Sequence, residues 1–239
     1  MVHNYYLELI RMKPINCDGL LIYPISFGEI CDTIGLDNFE KCLMPFLMTK
    51  ECLEGDTEKL NSLNLFEDVI LKDKILSQYV GVILGLFCKA KDVVKIASEI
   101  HIRFEDKEPF VIDKNNFDDV CEVIMKINAK SKIEIEKPPK NMSARQRDIW
   151  EKLQKGRAKS KSENEVHIYD ILNIIEYGGK YHLPIEEIEK WTLWKIMNCY
   201  KAIVNVKTYD DSLKICLVSG DGKSISDKNH WHSKLMVRE

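Results

Sequence analysis

Residues 131–141, SKIEIEKPPKN, constrain this chain more than any other stretch. They hold the pair Pro138-Pro139 and almost no large apolar residue, so they can neither carry a helix nor supply a core, and they mark a boundary. The charge balance changes at the same place. Residues 1–136 contain 16 Lys+Arg against 24 Asp+Glu, residues 137–161 contain 9 against 2, and residues 166–239 contain 10 of each. The net charge of −3 is therefore the sum of an acidic N-terminal body, a basic connector and a neutral C-terminal body. The organisation read from this is an acidic α+β domain over 1–130, a Pro-containing basic linker with a short helix over 131–165, and a helical domain over 166–239. The fold class is mainly α (α+β), with small β-hairpins in the N-terminal body. A chain of 239 residues buries roughly 70% of its unfolded surface and needs no disulfide or metal to hold it together.

The apolar runs are too short for a membrane. The longest, Tyr79 to Cys88, has ten residues and two glycines, whereas a span needs roughly 20. It reads as a buried helix, with Gly81 and Gly85 as close-packing points. The start Met1-Val2-His3-Asn4-Tyr5 has no basic region and no small-residue cleavage site, so no secretory signal is expected. None of the eight cysteines forms a CxxC, and several sit inside apolar runs, as small buried hydrophobes do in a reducing compartment.

Residues 5–12 and 20–25 are rich in β-formers and flank the turn cluster Asn16-Cys17-Asp18-Gly19, which predicts an N-terminal hairpin. Pro24 ends its second strand or holds it at an edge. Helical spacing follows at Phe27, Ile30, Cys31 and Ile34, then behind a capping-box pattern at Asp37 and Glu40. Asp56 is placed to cap a helix carrying Leu60, Leu63, Phe66, Ile70 and Leu71, and an apolar helix runs from about Asp73 to Cys88. Residues 100–104 and 109–112 predict a second hairpin, and Asn115 or Asn116 starts a helix with Phe117, Val120, Cys121, Ile124 and Ile127 on one face. Ser143 and Gln146 have capping-box spacing ahead of a basic helix with a narrow apolar stripe of Ile149, Trp150 and Leu153. Gly156 ends or weakens that helix, and the segment to Asn164 has no anchor and is expected to be flexible. A helix over 166–175, a break at Gly178-Gly179 and a broadly apolar helix from Pro184 through Ile203, extending toward Leu217, complete the body. Beyond the turn Gly220-Asp221-Gly222, residues 224–236 predict a last short helix.

Signals for chemistry are sparse. The chain has no glycine-rich phosphate loop, no HExxH and no GxSxG. His230 and His232 flank Trp231, but a metal needs a third ligand, and an anchored helix start explains them better. A hydrolase built on them has little else to motivate it. The acidic pairs Asp118-Asp119, Glu186-Glu187 and Asp210-Asp211 fall on helix surfaces or near helix starts. No catalytic residue, cofactor or metal is assigned. The distinctive feature is the connector, where Arg145, Arg147, Lys152, Lys155, Arg157, Lys159 and Lys161 surround the stripe. It reads as a solvated linker helix, as a helix that docks a partner through Ile149, Trp150 and Leu153, or as the phosphate-contacting segment, 143–161, of a DNA-binding regulatory protein. The acidic and neutral bodies around it count against nucleic acid.

The order of the pieces resembles a known family. The basic ARQRDIWEKLQKGR helix (144–157) is followed by YDIL (169–172), LPIEEIEKWTLW (183–194), YDD (209–211), GDGK (220–223) and HWHSKL (230–235). IYPISFGEI (22–30) and NFDDVCEVIMKIN (116–128) add to it. Together they resemble the tail assembly chaperones of phages and prophages of Gram-positive bacteria, with Trp231 between two histidines as a departure. The resemblance implies a non-enzymatic protein that binds the long helical tape measure protein and keeps it soluble while tail tube subunits assemble, with self-association a further possibility. It implies action in the host bacterial cytoplasm and absence from the mature virion. The positions that match a binding role are Arg145, Arg147, Ile149, Trp150, Leu153 and Arg157 on the connector, and Trp191 and Trp194 beyond it. For the last two a place in the core is the competing reading, because large apolar residues at helical spacing usually face inward.

Overall fold

The computed structural model describes residues 5–53, 57–136, 138–139, 141–163, 166–179 and 181–220. It is mainly α-helical, with two small antiparallel sheets. The chain starts with a short helix, α1 (Tyr6–Ile10), where residues 5–12 predicted a strand. Tyr5, Tyr6 and Leu9 turn toward the core, and Tyr5 and Leu9 are four residues apart, which is helical spacing. The first hairpin pairs β1 (Ile15–Cys17) with β2 (Leu20–Ile22). Asp18 (φ 48°) and Gly19 (φ 97°) form its two-residue turn, and both take the positive φ that such turns require. The turn fixes the register at Cys17 opposite Leu20. Pro14 lacks the N–H needed to carry the ladder back into residues 5–12.

The centre of the molecule is α3 (Leu36–Leu47) packed on α5 (Lys74–Cys88), with α2 (Phe27–Thr33) before them and α4 (Thr57–Ser62) between. Ser26 caps α2 by accepting from the Glu29 N–H. Helix α3 starts at Leu36 after Gly35 (φ 73°) with no side-chain cap, so Asp37 and Glu40 do not form the predicted capping box. The predicted single helix over Leu60–Leu71 is interrupted. Asn64 caps a separate wide helical turn, Leu65–Ile70, while Asp56 lies outside the described residues. In α5 the Asp73 carboxylate accepts from the N–H groups of Ile75 and Leu76, and Val80, Ile83, Leu84 and Phe87 are fully buried. Phe39 stacks on Phe87 with centroids 6.2 Å apart.

A three-stranded sheet, β3 (Asp92–Ile96), β4 (Glu99–Arg103) and β5 (Phe110–Ile112), turns Ile100, Ile102 and Ile112 into the core. Its last two strands match the predicted hairpin. Strand β3 was not foreseen, because its residues alternate too weakly between buried and exposed. Helix α6 (Phe117–Ile127) buries the face predicted for it. The ring of Phe117 stacks on Phe66 at 4.3 Å.

Beyond α6 the extended segment is tied back to the N-terminal body: the Ile133 N–H donates to the Leu47 carbonyl, the Thr49 hydroxyl donates to the Ile133 carbonyl, and Lys132 lies 3.9 Å from Asp118. Helix α7 (Ala144–Glu163) follows and runs straight through Gly156. Helix α8 (Ile168–Gly178) packs along α10 (Leu193–Ser219), with the short α9 (Ile185–Ile188) between them. The long helix predicted from Pro184 is broken here. Thr192 is extended, caps α10 by accepting from the Lys195 N–H, and bridges to Ser26. That bridge joins the start of α2 to the start of α10. The Phe27 N–H donates to the Trp191 carbonyl (2.7 Å) and the Gly28 N–H to the Glu189 carbonyl (2.9 Å). A Cβ at Gly28 would lie 3.3 Å from the Glu189 carbonyl oxygen, so the close approach favours glycine. Buried residues of both bodies form one continuous cluster. The predicted helix over 224–236 lies outside the described residues.

Candidate partner-binding surface

Helix α7 is built locally. The Ser143 hydroxyl accepts from the Gln146 N–H (3.3 Å) and the Gln146 side chain accepts from the Ser143 N–H (2.8 Å), a reciprocal capping box. Among the described residues, α7 contributes nothing to the core cluster or to the side chains packed against it. At roughly 100° per residue, Ile149 and Leu153 share one face with Gly156. Arg145 and Lys152 border that face on one side, with Asp148 beside them and bonded to Lys152 at 2.9 Å; Trp150 and Arg157 border it on the other, and Arg147 and Glu151 fall on the opposite side of the helix. Ile149 is 49% exposed and Leu153 57% exposed. Trp150 is half-buried, and on its side of the helix Arg157 and Gln154 both reach Glu136, the arginine at 2.8 Å. Arg145 and Arg147 are exposed and make no ion pair with a described residue. The arrangement is a solvent-exposed helix offering an apolar stripe between basic edges.

The other two named positions lie elsewhere. Trp194 is 3% exposed and sits in the core. Trp191 is half-buried; its carbonyl holds Phe27, and Lys195 lies 4.3 Å from its ring centroid. The structure thus brings the connector residues together on α7 and places the two tryptophans where the C-terminal helices meet the N-terminal body.

A groove of about 790 Å³ runs between α3, α5 and β3, with Lys41, Lys91, Lys95 and Gly81 among its lining residues. A Cβ at Gly81 would meet nothing within 4 Å, so this glycine is not the close-packing point that its apolar neighbours suggested. Its position in mid-helix without a packing reason was the one available signal. Gly85 does face Val93, at an ordinary contact distance of 3.9 Å.

The cysteines are free. Burial pushes the thiols of Cys88 and Cys121 up to about 12 and that of Cys17 to about 11, so they stay protonated at neutral pH. Among the described residues no group of three or more His, Cys, Asp and Glu is placed to hold a metal ion, and no helix is long and apolar enough to cross a membrane. His230 and His232 lie outside them. No protein-family model matches the chain, and no match is found among curated proteins or solved structures.

Proposed function

We propose that this protein is a non-enzymatic phage tail assembly chaperone that binds the tape measure protein, keeps it soluble and assists assembly of the tail tube around it. The observation that carries this reading is the exposed stripe of Ile149 and Leu153 on a helix outside the core. A long amphipathic polypeptide aggregates through its own apolar stripe unless another apolar surface covers it. A helix such as α7 covers part of that stripe by packing along it, and its basic edges select acidic flanks. The order of sequence motifs that resembles this family supports the same reading. In it the protein works in the cytoplasm of the host and leaves before the virion is complete.

Co-expression with the tape measure protein encoded beside it tests the reading. The expected result is a soluble complex that co-purifies, and Ile149→Asp with Leu153→Asp abolishes the complex while the chain stays folded. Unchanged tape measure solubility without a complex overturns it. A DNA-binding role predicts instead a salt-sensitive complex with duplex DNA through Arg145, Arg147 and Arg157. The apolar centre of the exposed face favours the protein partner.

A further inference from the structure

Strand β3 ends its sheet in the open. The strand order is β3-β4-β5, and among the described residues the backbone of β3 bonds to β4 alone. In an antiparallel pair alternate residues direct their N–H and C=O groups away from the partner, so β3 leaves a row of backbone donors and acceptors along its outer edge. The other edge strand, β5, is shorter and begins behind Pro109, which has no N–H to offer. The groove between α3, α5 and β3 has this open strand as one wall. Helix and strand meet where Gly85 faces Val93 and part toward Gly81, where a Cβ would meet nothing within 4 Å. Ser77, Gly81 and Gly85 recur every four positions, so the α5 wall is low along one line of the helix. Four of the lining residues are charged, Lys41, Lys91 and Lys95 against Asp92. The three lysines are exposed and form no ion pair with a described residue, while Asp92 lies 3.9 Å from Arg103. Lys95 donates to the Leu71 carbonyl and keeps further N–H donors. Val93 and Lys95 stand opposite Ile102 and Ile100, so they share the face of the sheet turned toward α5. The groove is thus basic within a body that is acidic as a whole.

We propose that this groove binds an extended acidic segment of another protein, which adds to β3 as a further strand of the sheet. Its main chain pairs with the free edge, and every second side chain turns toward α5, where carboxylates meet Lys41, Lys91 and Lys95. Main-chain pairing supplies affinity, and the alternate side chains supply choice. The lysines select the occupant. Lysines on an edge strand guard a sheet against pairing with its own copies: a second β3 would bring lysine against lysine, whereas an acidic strand is attracted. A side chain at Gly81 would fill the space that the added strand needs, which gives this mid-helix glycine a reason that packing does not.

Titration of the full chain into a labelled peptide of about six residues alternating glutamate with valine, followed by fluorescence anisotropy, tests this. Saturable binding that weakens as salt is added is expected, and the counterpart peptide with lysine for glutamate does not bind. One set of alternate backbone amides of the peptide faces β3 and the other faces away. N-methylation of the first set therefore abolishes binding, and N-methylation of the second leaves it in place. Lys41→Glu with Lys95→Glu weakens binding by ~10-fold or more. Gly81→Leu blocks the groove and abolishes binding. These positions border open space, and circular dichroism checks that each variant is folded. With the peptide bound, amide exchange slows in β3 and not in β5. Absence of saturable binding at low salt overturns the proposal, and so does equal binding by the two N-methylated peptides, which leaves charge attraction as its only cause. Helix α7 takes no part in the measurement, so failure here leaves the tape measure reading standing, and the reverse also holds.

Discussion

Helices α5 and α7 begin alike and end in opposite surroundings. Each starts from a side-chain cap, Asp73 on two N–H groups of α5 and Ser143 in the reciprocal box of α7. From there α5 buries Val80, Ile83, Leu84 and Phe87 against α3 and the sheet, whereas α7 leaves Ile149 and Leu153 in water. The difference teaches that the same local signals serve two ends. In α5 the cap adds an increment to a helix that burial already holds. In α7 local bonding is most of what holds the helix, and its apolar residues are left for contact with something else.

Truncations give the largest contrast. Phe87→Ala is expected to cost about 3–5 kcal/mol, because it empties a fully buried site beside Phe39. Leu153→Ala is expected to change stability by no more than about 0.5 kcal/mol while weakening partner binding. Denaturant titration of both variants decides, and a large loss at Leu153 would break the contrast. The caps come next. Asp73→Ala lowers global stability by about 1 kcal/mol. Ser143→Ala leaves the unfolding midpoint in place and is visible only as faster amide exchange in the first turn of α7.

Gly81 of α5 and Gly156 of α7 follow with a gain. Both have open space where a Cβ would stand, so alanine at either favours its helix by about 0.5–1 kcal/mol. Gly81→Ala should raise the global midpoint. Gly156→Ala should raise helicity alone. The smallest effect is acid sensitivity, and it belongs to the N-terminal body. A hydrogen bond from Lys72 lowers the Asp68 pKa, and the Asn115 N–H lowers that of Asp113. Since the folded values are depressed, these groups stabilise the fold above the ordinary aspartate value of about 3.9, and the contribution disappears as pH falls through the folded values. Urea midpoints through that range should fall less steeply for Asp68→Asn and Asp113→Asn than for wild type, with α7 variants indistinguishable from it.

Much of the fold was legible because the signals were local. The start of α5 near Asp73, the capping box at Ser143, the apolar face of α6 and the β4–β5 pair depend on residues within a few positions of one another. The misread segments depended on distant ones. Residues 6–10 are helical because Tyr5, Tyr6 and Leu9 meet the core, and the helix predicted from Pro184 breaks at Thr192 because that residue bridges to Ser26, far away in the chain. For the candidate site, the stripe, its basic edges and the box that starts α7 could be read directly, since a helix face is set by spacing alone.

By itself, the sequence determined the mainly helical class, the charge division and the composition of α7, all of which follow from residue type and period. Only the tertiary structure decided which apolar residues are spent on the core and which remain outside it. Trp194 and Leu153 look equally apolar in sequence, yet the first is covered where the C-terminal helices close on α2 and the second is left uncovered. Burial is a property of what packs opposite a residue, and that partner is supplied by another part of the chain.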